Sequence, residues 1–210
     1  MKHKIVFHGK TLFNKLTEQT FNIVKKSEIP YFHFSEEEQV GSTFGQRFTH
    51  AIKSIFNKGF DQVITIGNDT PLLTTSLLLE ANKQLNNQKL VLGTSKDGGF
   101  YLMGLHKDQF NATAFNTLSW QTSSLSKQLR NLILGYGNEI FQLPTLSDID
   151  TIKDIENIVS YSKQLPRILM SLFLQIIGLT KSYLNQVILV FEEYQSNISH
   201  NRGSPKVLSI

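Results

Sequence analysis

Four aspartates follow apolar segments of the chain, and their types and spacing could support metal chemistry. Asp69 comes directly after the apolar segment VITIGN and is bracketed by a glycine and a proline. Asp97 precedes two glycines, and Asp148 and Asp150 flank one isoleucine in LSDID. Carboxylate oxygens are the preferred ligands of hard divalent cations, and such a cation can hold a diphosphate. The four residues therefore indicate a metal site, provided that the fold brings them together.

Each of these aspartates also has a purely local interpretation. Asp69 could cap the next turn, and Asp97 could bind Lys96 or the backbone of its own tight turn. One of the late pair could cap the helix predicted to follow. Alternation along an extended segment nevertheless places Asp148 and Asp150 on one side, where they could share a cation. The sequence leaves both interpretations open for each position.

Apolar periodicity predicts strands that alternate with helices along most of the chain. The predicted strands are residues 4–7, 31–34, 63–67, 89–95, 98–105 and 139–144, and the predicted helices are 11–26, 43–58, 75–86, 122–135 and 151–163. Such alternation is typical of an α/β fold with a mostly parallel sheet covered on both faces. In open sheets of this kind, ligands bind beyond the carboxyl ends of the strands. The aspartates are predicted to lie at that edge.

Composition narrows the classes of function. The chain has 210 residues, 40% hydrophobic and 18% charged, which suits one soluble α/β domain with an appendage. The absence of cysteine excludes disulfides, thiolate metal sites and a cysteine nucleophile. The net charge of +4 is mild, and no basic stripe interleaved with aromatics predicts a nucleic-acid partner. A cytoplasmic location is the default expectation.

The segment 165–193 differs from the rest of the chain because it is dense in Leu, Ile, Val and Phe. Polar and charged residues interrupt it, which disfavours a membrane-spanning helix. The composition favours amphipathic helices packed on the domain or on a second copy of the chain, so a homodimer is one expected contact. A helix on the membrane surface, peripheral to the inner membrane, is the alternative. We therefore predict an α/β domain over 1–163 and a helical extension with a loose tail over 164–210.

Five ordered motifs resemble a known family over about residues 31–160. They read QVGSTFGQRFTHAI, ITIGNDTPLLT, VLGTSKDGGFYLMGL, LSWQTSS and LSDIDTIKDI. Together they resemble an uncharacterised bacterial family of glycosyltransferase-like proteins in the nucleotide-diphospho-sugar transferase superfamily. The resemblance implies the GT-A fold, a three-layer α/β/α sandwich, here with a C-terminal apolar helical extension. The last motif also looks like a segment of molybdenum-cofactor and 2-phospholactate nucleotidyltransferases.

The resemblance implies a role for each matching residue. Asp69 matches a metal-binding Asp, and Asp148 and Asp150 match a late acidic pair of which one often joins the metal, Mg²⁺ or Mn²⁺. Asp97 matches the Asp of Asp-Gly-Gly on the acceptor side, where it could orient an acceptor hydroxyl or act as base. The expected substrate-binding residues, again from the resemblance, are Gly98, Gly99, Trp120, Thr122 and Arg47. Arg47 has two open roles, facing the phosphates or holding its helix to the preceding loop.

The chain departs from the family at its N-terminus. In the family the first strand leads into a loop that wraps the nucleotide, and nothing similar stands in KIVFHGKT. The expected function is a metal-dependent transferase that acts on a nucleotide or nucleotide-sugar donor and an undefined small-molecule acceptor. The alternatives are a nucleotidyltransferase of the same fold, or a non-catalytic binding module that has lost the donor loop.

Overall fold

A computed structural model describes residues 2–87, 89–135, 137, 139–161, 165–182 and 206–209. The helices are α1 (Lys2–Ser27), α2 (Phe44–Asn57), α3 (Thr75–Asn86), α4 (Ala112–Thr117), α5 (Leu125–Gly135), α6 (Ile152–Tyr161) and α7 (Arg167–Ser182). The strands are β1 (Tyr31–His33), β2 (Gln62–Ile66), β3 (Leu90–Ser95), β4 (Phe100–His106), β5 (Ile140–Leu146) and β6 (Lys206–Ser209). Two short 3₁₀ helices cover Glu36–Glu38 and Lys107–Gln109.

The six strands form one sheet in the order β1-β6-β2-β4-β3-β5. Only β3 and β5 pair in parallel, while β4 and β6 pair antiparallel with both of their neighbours. It follows that β1, β2, β3 and β5 run in one direction and β4 and β6 run in the other. The prediction of a mostly parallel sheet is thus confirmed for strand direction, since most of the described strands run the same way. The prediction is wrong for strand pairing, because each reversed strand lies between two strands of the common direction and pairs antiparallel with both.

Strand alternation builds a core on each face of the sheet. On one face, Ile64, Val91 and Leu102 pack with residues of α1 and α3. On the other face, Val63 and Leu92 pack with residues of α2, α4 and α5. Neighbouring residues of a strand point to opposite faces, so apolar strands of this kind must be covered twice. The result is the three-layer α/β/α arrangement predicted from the sequence.

Helix α2 shows how local sequence defines an element. The side chain of Thr43 caps its first turn by accepting a hydrogen bond from the backbone N–H of Gln46 at 3.2 Å. Phe48, Ile52 and Ile55 follow at helical spacing and are buried against the sheet. Gly59, with φ of +98°, follows the helix, whose observed extent of Phe44–Asn57 agrees with the predicted 43–58.

The strand predicted over residues 4–7 is wrong, because these residues lie within α1. The helix predicted over 11–26 is confirmed as the later part of the same element. A four-residue apolar run does not distinguish a strand from a turn of helix, and here it continues a helical pattern. The buried side chains of Leu12, Leu16 and Val24 anchor this helix to the core. Residues 2–27 therefore contain neither the first strand nor the nucleotide-wrapping loop of the family that the chain resembles.

The C-terminal part of the chain is partly integrated into the domain. Helix α7 packs against α6 and α1, with Phe173 fully buried between them. Residues 206–209 form β6 inside the sheet, so this part of the predicted loose tail is ordered and central. The predicted domain boundary after residue 163 falls on residues outside the description and stays a prediction. No helix in the described part of the chain is long and apolar enough to cross a membrane.

Candidate metal centre and substrate cleft

The aspartates converge because three strands of common direction end at one edge of the sheet. Asp69 follows β2, Asp97 follows β3, and Asp148 and Asp150 follow β5. Two backbone hydrogen bonds join these segments. Lys96 N–H donates to Leu146 O, and Ile149 N–H donates to Asp69 O, both at 3.0 Å. The strand-end prediction is thus realised in three dimensions.

Three of the four carboxyl groups are close enough to share one cation. One carboxylate oxygen from each of Asp97, Asp148 and Asp150 lies within 4.8 Å of the other two. Oxygens bound to one Mg²⁺, Mn²⁺ or Ca²⁺ at 2.0–2.6 Å lie at most about 5 Å apart, so the donor set fits a hard divalent cation. This trio contains Asp97, which the family resemblance placed on the acceptor side, and does not contain Asp69.

Asp69 lies beside the trio and is coupled to it electrostatically. Burial, together with the negative charge of Asp150, raises the pKa of Asp69 to about 6. Burial also raises the pKa of Asp148 to about 7, with the charges of Asp69 and Asp97 acting in the same direction. Crowded carboxyl groups in a partly dehydrated site resist ionisation. A divalent cation would relieve this repulsion, and Asp69 is positioned to contribute to its field.

Asp97 is held in place by its own turn. Its Oδ1 accepts hydrogen bonds from Ser95 Oγ and from the backbone N–H of Gly99, both at 2.8 Å. Asp97 therefore does bind the backbone of its own turn, as its local interpretation proposed. The same turn also orients the carboxyl group toward Asp148 and Asp150, so local and functional interpretations are compatible.

The cap of helix α6 comes from residues other than the late acidic pair. Thr151 N–H donates to Asp154 Oδ2 at 2.7 Å, and Asp154 N–H donates back to Thr151 Oγ1 at 3.3 Å. This reciprocal pair is a capping box. Asp148 and Asp150 are therefore not needed as the cap, and their side chains lie in the carboxylate cluster.

A cleft opens from the carboxylates toward an aromatic wall, and we call it the aromatic cleft. It has about 720 Å³ of empty space, part of it open solvent. Its wall consists of Phe44, Phe48, Phe100 and Trp120, and all four aspartates line it. None of the described residues that line it is Lys, Arg or His. An anionic group in this cleft would therefore depend on a bound cation.

Trp120 joins the aromatic wall to helix α2. Its ring centroid lies 4.7 Å from that of Phe48, and its Nε1–H donates to Phe115 O at 2.8 Å. A Cβ added at Gly45 would lie 2.4 Å from the Trp120 ring, so only glycine permits this approach. The indole is thus fixed in orientation at the cleft.

A second, polar cleft lies on the other side of the carboxylate trio. The trio lines it together with Lys96, Ser147, Asp154 and Asn157. Asp97, Asp148 and Asp150 therefore stand between an aromatic and a polar compartment. A cation held by them would be reachable from both sides.

The predicted substrate-binding residues divide into two groups. Gly99 and Trp120 line the aromatic cleft, whereas Gly98, Thr122 and Arg47 do not. Gly98 faces the backbone of Ser123, and Thr122 Oγ1 donates to Ser119 O at 2.7 Å inside its own turn. These two positions shape the turns from which other side chains reach the cleft.

Arg47 makes a contact that supports one of its two expected roles. Its Nε–H donates to Gln39 Oε1 at 3.2 Å, which ties helix α2 to the preceding loop. Arg47 is not among the residues that line the two clefts described above, and its role at the phosphates stays a prediction.

Gln121 and three of the four residues of the aromatic wall were not predicted as site residues. Phe44, Phe48 and Phe100 look like ordinary core residues in the sequence, and only the fold places them opposite the carboxylates. Gln121 has φ of +61°, a left-handed conformation that the sequence did not indicate. Its position between Trp120 and Thr122 could have indicated a site residue, because both neighbours were expected to bind substrate.

Comparisons with known proteins agree with this description. Residues 25–122 match a bacterial family described as "Uncharacterized protein conserved in bacteria (DUF2064)". A crystal structure of a candidate nucleotide-diphospho-sugar transferase from Desulfovibrio desulfuricans G20 is similar, with a TM-score of 0.60 and 27% sequence identity. The similarity covers 69% of this chain and 64% of that chain, slightly less than two thirds of the latter. No curated protein matches the chain at a significant level.

The predicted resemblance and fold class are therefore confirmed. The family match runs from the end of α1 to Thr122, shortly after Trp120 of the aromatic wall. The structural similarity supports an α/β fold like that of nucleotide-diphospho-sugar transferases.

Proposed function

We propose that this relative of an uncharacterised bacterial family is a metal-dependent transferase that acts on a nucleotide-activated donor, most closely like a glycosyltransferase. The acceptor would be a small molecule. The observation that carries the proposal is the carboxylate trio of Asp97, Asp148 and Asp150, with one oxygen of each within 4.8 Å of the others, at the strand ends of a transferase-like fold.

The trio would hold Mg²⁺ or Mn²⁺, with Asp69 adding negative charge beside it. When bound, the cation would neutralise charge on a diphosphate and on the leaving phosphate. The chain's own residues would orient the substrates. Ser95 and the turn at Gly99 fix Asp97, and the backbone bond from Ile149 N–H to Asp69 O holds two acidic segments together.

The absence of cationic side chains among the described lining residues of the aromatic cleft supports metal dependence. A diphosphate placed beside four carboxyl groups would be repelled without a cation. We therefore expect nucleotide binding to require the metal, and not only to be improved by it.

A non-catalytic binding module is the second candidate, and one observation favours it. Residues 2–27 form helix α1, where the resembling family has a strand and a nucleotide-wrapping loop. Such a module would keep the carboxylate site and bind a nucleotide or a metal without transferring a group. Nucleotidyl transfer on the same site stays a third possibility, based on the resemblance of LSDIDTIKDI.

Thermal unfolding with nucleotides and nucleotide sugars, each with and without Mn²⁺, tests the proposal. A ligand present at 100 times its dissociation constant should add about 2.7 kcal/mol to the free energy of unfolding. We expect a nucleotide-dependent shift that needs Mn²⁺ and is lost in Asp150→Asn. Asp108→Asn is the matched control, since Asp108 is exposed in a 3₁₀ helix away from the cluster.

Incubation of the stabilising nucleotide sugar with Mn²⁺ then separates transferase from binding module. Slow release of the nucleoside diphosphate, lost in Asp150→Asn, would support the transferase. Binding without any turnover or hydrolysis would support the module. Equal shifts with and without metal would contradict both forms of the proposal.

Contact of residues 165–193 with a second copy or a membrane surface is a further proposal. Within α7, Ile168 is 66% exposed and Leu174 is 52% exposed, which leaves apolar surface available for either partner. Liposome sedimentation and analytical ultracentrifugation of the intact chain would distinguish the two.

A further inference from the structure

Gln121 adopts an uncommon backbone conformation at the edge of the aromatic cleft. Its φ of +61° lies in the left-handed region, which non-glycine residues rarely occupy. Of the described residues outside glycine, only Glu28, in the turn after α1, shares a positive φ. Strain of this kind persists where surrounding contacts determine it, and it is concentrated at ligand sites.

Contacts on two sides fix the turn that carries Gln121. On one side the Trp120 ring packs against Gly45, at a distance that excludes a Cβ. On the other side Ser126 N–H donates to Gly98 O at 3.0 Å, and a Cβ at Gly98 would overlap the carbonyl of Ser123. Since the turn is held from α2 and from the turn after β3, the conformation of Gln121 is imposed, and Gln121 is one of the residues that line the cleft.

Gln121 differs in chemistry from the groups that flank it. The aromatic wall offers flat apolar surface, and the carboxylates offer only negative charge. Gln121 supplies a neutral amide, which can donate and accept hydrogen bonds without attracting or repelling charge. An uncharged ring with carbonyl, amino or hydroxyl groups matches an aromatic face next to such an amide.

We infer that Gln121 is a specificity-determining residue that recognises the uncharged ring of the substrate, a nucleobase or a sugar, packed against the aromatic wall. This inference rests on the proposed function, because it takes the diphosphate to be bound at the metal beside the trio. The strained turn would then keep Gln121 in a fixed position relative to the carboxylate trio, so that the ring and the diphosphate of one substrate are recognised together.

Two variants preserve the backbone and change only the side chain. Gln121→Gly removes the amide and accepts a positive φ without strain, and Gln121→Asn keeps an amide in a residue that tolerates this conformation. Both should unfold at or above the temperature of the unsubstituted chain. Calorimetry would measure the dissociation constants of Mn²⁺, of pyrophosphate with Mn²⁺, and of UDP, GDP, CDP, ADP, UDP-glucose and GDP-mannose with Mn²⁺.

We expect Gln121→Gly to weaken binding of the preferred nucleotide about five- to tenfold, the effect of one lost hydrogen bond. Binding of Mn²⁺ and of pyrophosphate should be unchanged. The nucleotide affinity of Gln121→Asn should lie between that of the unsubstituted chain and that of Gln121→Gly. An effect on a nucleoside diphosphate identifies the base as the ring, and an effect confined to nucleotide sugars identifies the sugar.

Equal nucleotide affinities in the unsubstituted chain and Gln121→Gly would overturn the inference and leave the proposed function intact. A loss of Mn²⁺ or pyrophosphate affinity in Gln121→Gly would also overturn it, because the residue would then act through the metal site. If the unsubstituted chain bound no nucleotide in the presence of Mn²⁺, the proposed function itself would fail.

Discussion

At the scale of single residues, the unusual feature is that four carboxyl groups meet, and that burial and mutual repulsion oppose the ionisation of two of them, Asp69 and Asp148. Asp69 and Asp148 have pKa values raised to about 6 and about 7. The folded chain consequently binds protons that the unfolded chain has already released. Metal binding needs the same groups ionised, so stability and metal affinity should respond to pH in opposite directions.

The first prediction follows from the sign of these pKa shifts. Between about pH 4 and pH 7 the folded state holds more protons on Asp69 and Asp148, so the free energy of unfolding should fall as pH rises. Asp148→Asn should flatten this slope and raise the free energy of unfolding at pH 8 by about 2 kcal/mol, a figure reduced for the partial solvation of the site. Urea unfolding with a chelator at pH 5 to 8 is the measurement. A steeper slope in the variant would contradict the interpretation.

The second prediction concerns the turn beside Asp97. Gly98 has φ of +93°, and an added Cβ would lie 2.0 Å from Ser123 O, so Gly98→Ala should cost about 2–4 kcal/mol. Gly59 has nearly the same φ of +98° but nothing within 4 Å of an added Cβ. Gly59→Ala should therefore cost only about 1 kcal/mol of backbone strain. Equal losses in denaturant unfolding would show that the contact with Ser123 is unimportant.

At the scale of elements, the position of β6 is the main departure from expectation. It pairs with β1 on one side and β2 on the other, through residues 206–209. Without it, both neighbours would expose an unpaired strand edge near the middle of the sheet, which is a liability for folding and aggregation. Strand β6 thus fills a central position in the sheet, whereas residues 2–27 of the chain form helix α1.

The third prediction tests this role of β6. Val207 is paired with Phe32 in β1 and with Thr65 in β2. A proline there removes a ladder hydrogen bond and fits poorly in a central strand, so Val207→Pro should cost about 3 kcal/mol or more. Val207→Thr keeps the backbone N–H and the branched shape and serves as the control. If the two variants unfold at the same denaturant concentration, β6 does not stabilise the sheet.

Helices and strands were predicted better where several sequence signals coincided. Helix α2 combines an apolar face with a terminal glycine at Gly59, and the structure confirms it over Phe44–Asn57, close to the predicted 43–58. By contrast, the four-residue run at 4–7 had only hydrophobicity, which fits a strand and a helix equally. The strand at 206–209 could not be predicted from its four residues, because its pairing depends on neighbours far away in the chain.

At the scale of the whole molecule, the same contrast applies to the candidate site. The aspartates were predictable because strand ends of common direction meet at one edge of the sheet. Their grouping was not predictable, and Asp97 joins Asp148 and Asp150 where Asp69 had been expected. The aromatic wall and Gln121 depend on how helix α2 and the turn after α4 pack together, which no local pattern records.

The most direct test of the central claim is a calorimetric titration of the intact chain with Mn²⁺ at pH 7.5. We predict a single strong site whose affinity falls at least tenfold in Asp97→Asn, Asp148→Asn and Asp150→Asn, less in Asp69→Asn, and not at all in Asp108→Asn. Affinity should also fall as pH is lowered through 7, as Asp148 and then Asp69 take up protons. Equal Mn²⁺ affinity in the trio variants and in Asp108→Asn would contradict a metal centre at the strand ends, and with it the proposed transferase.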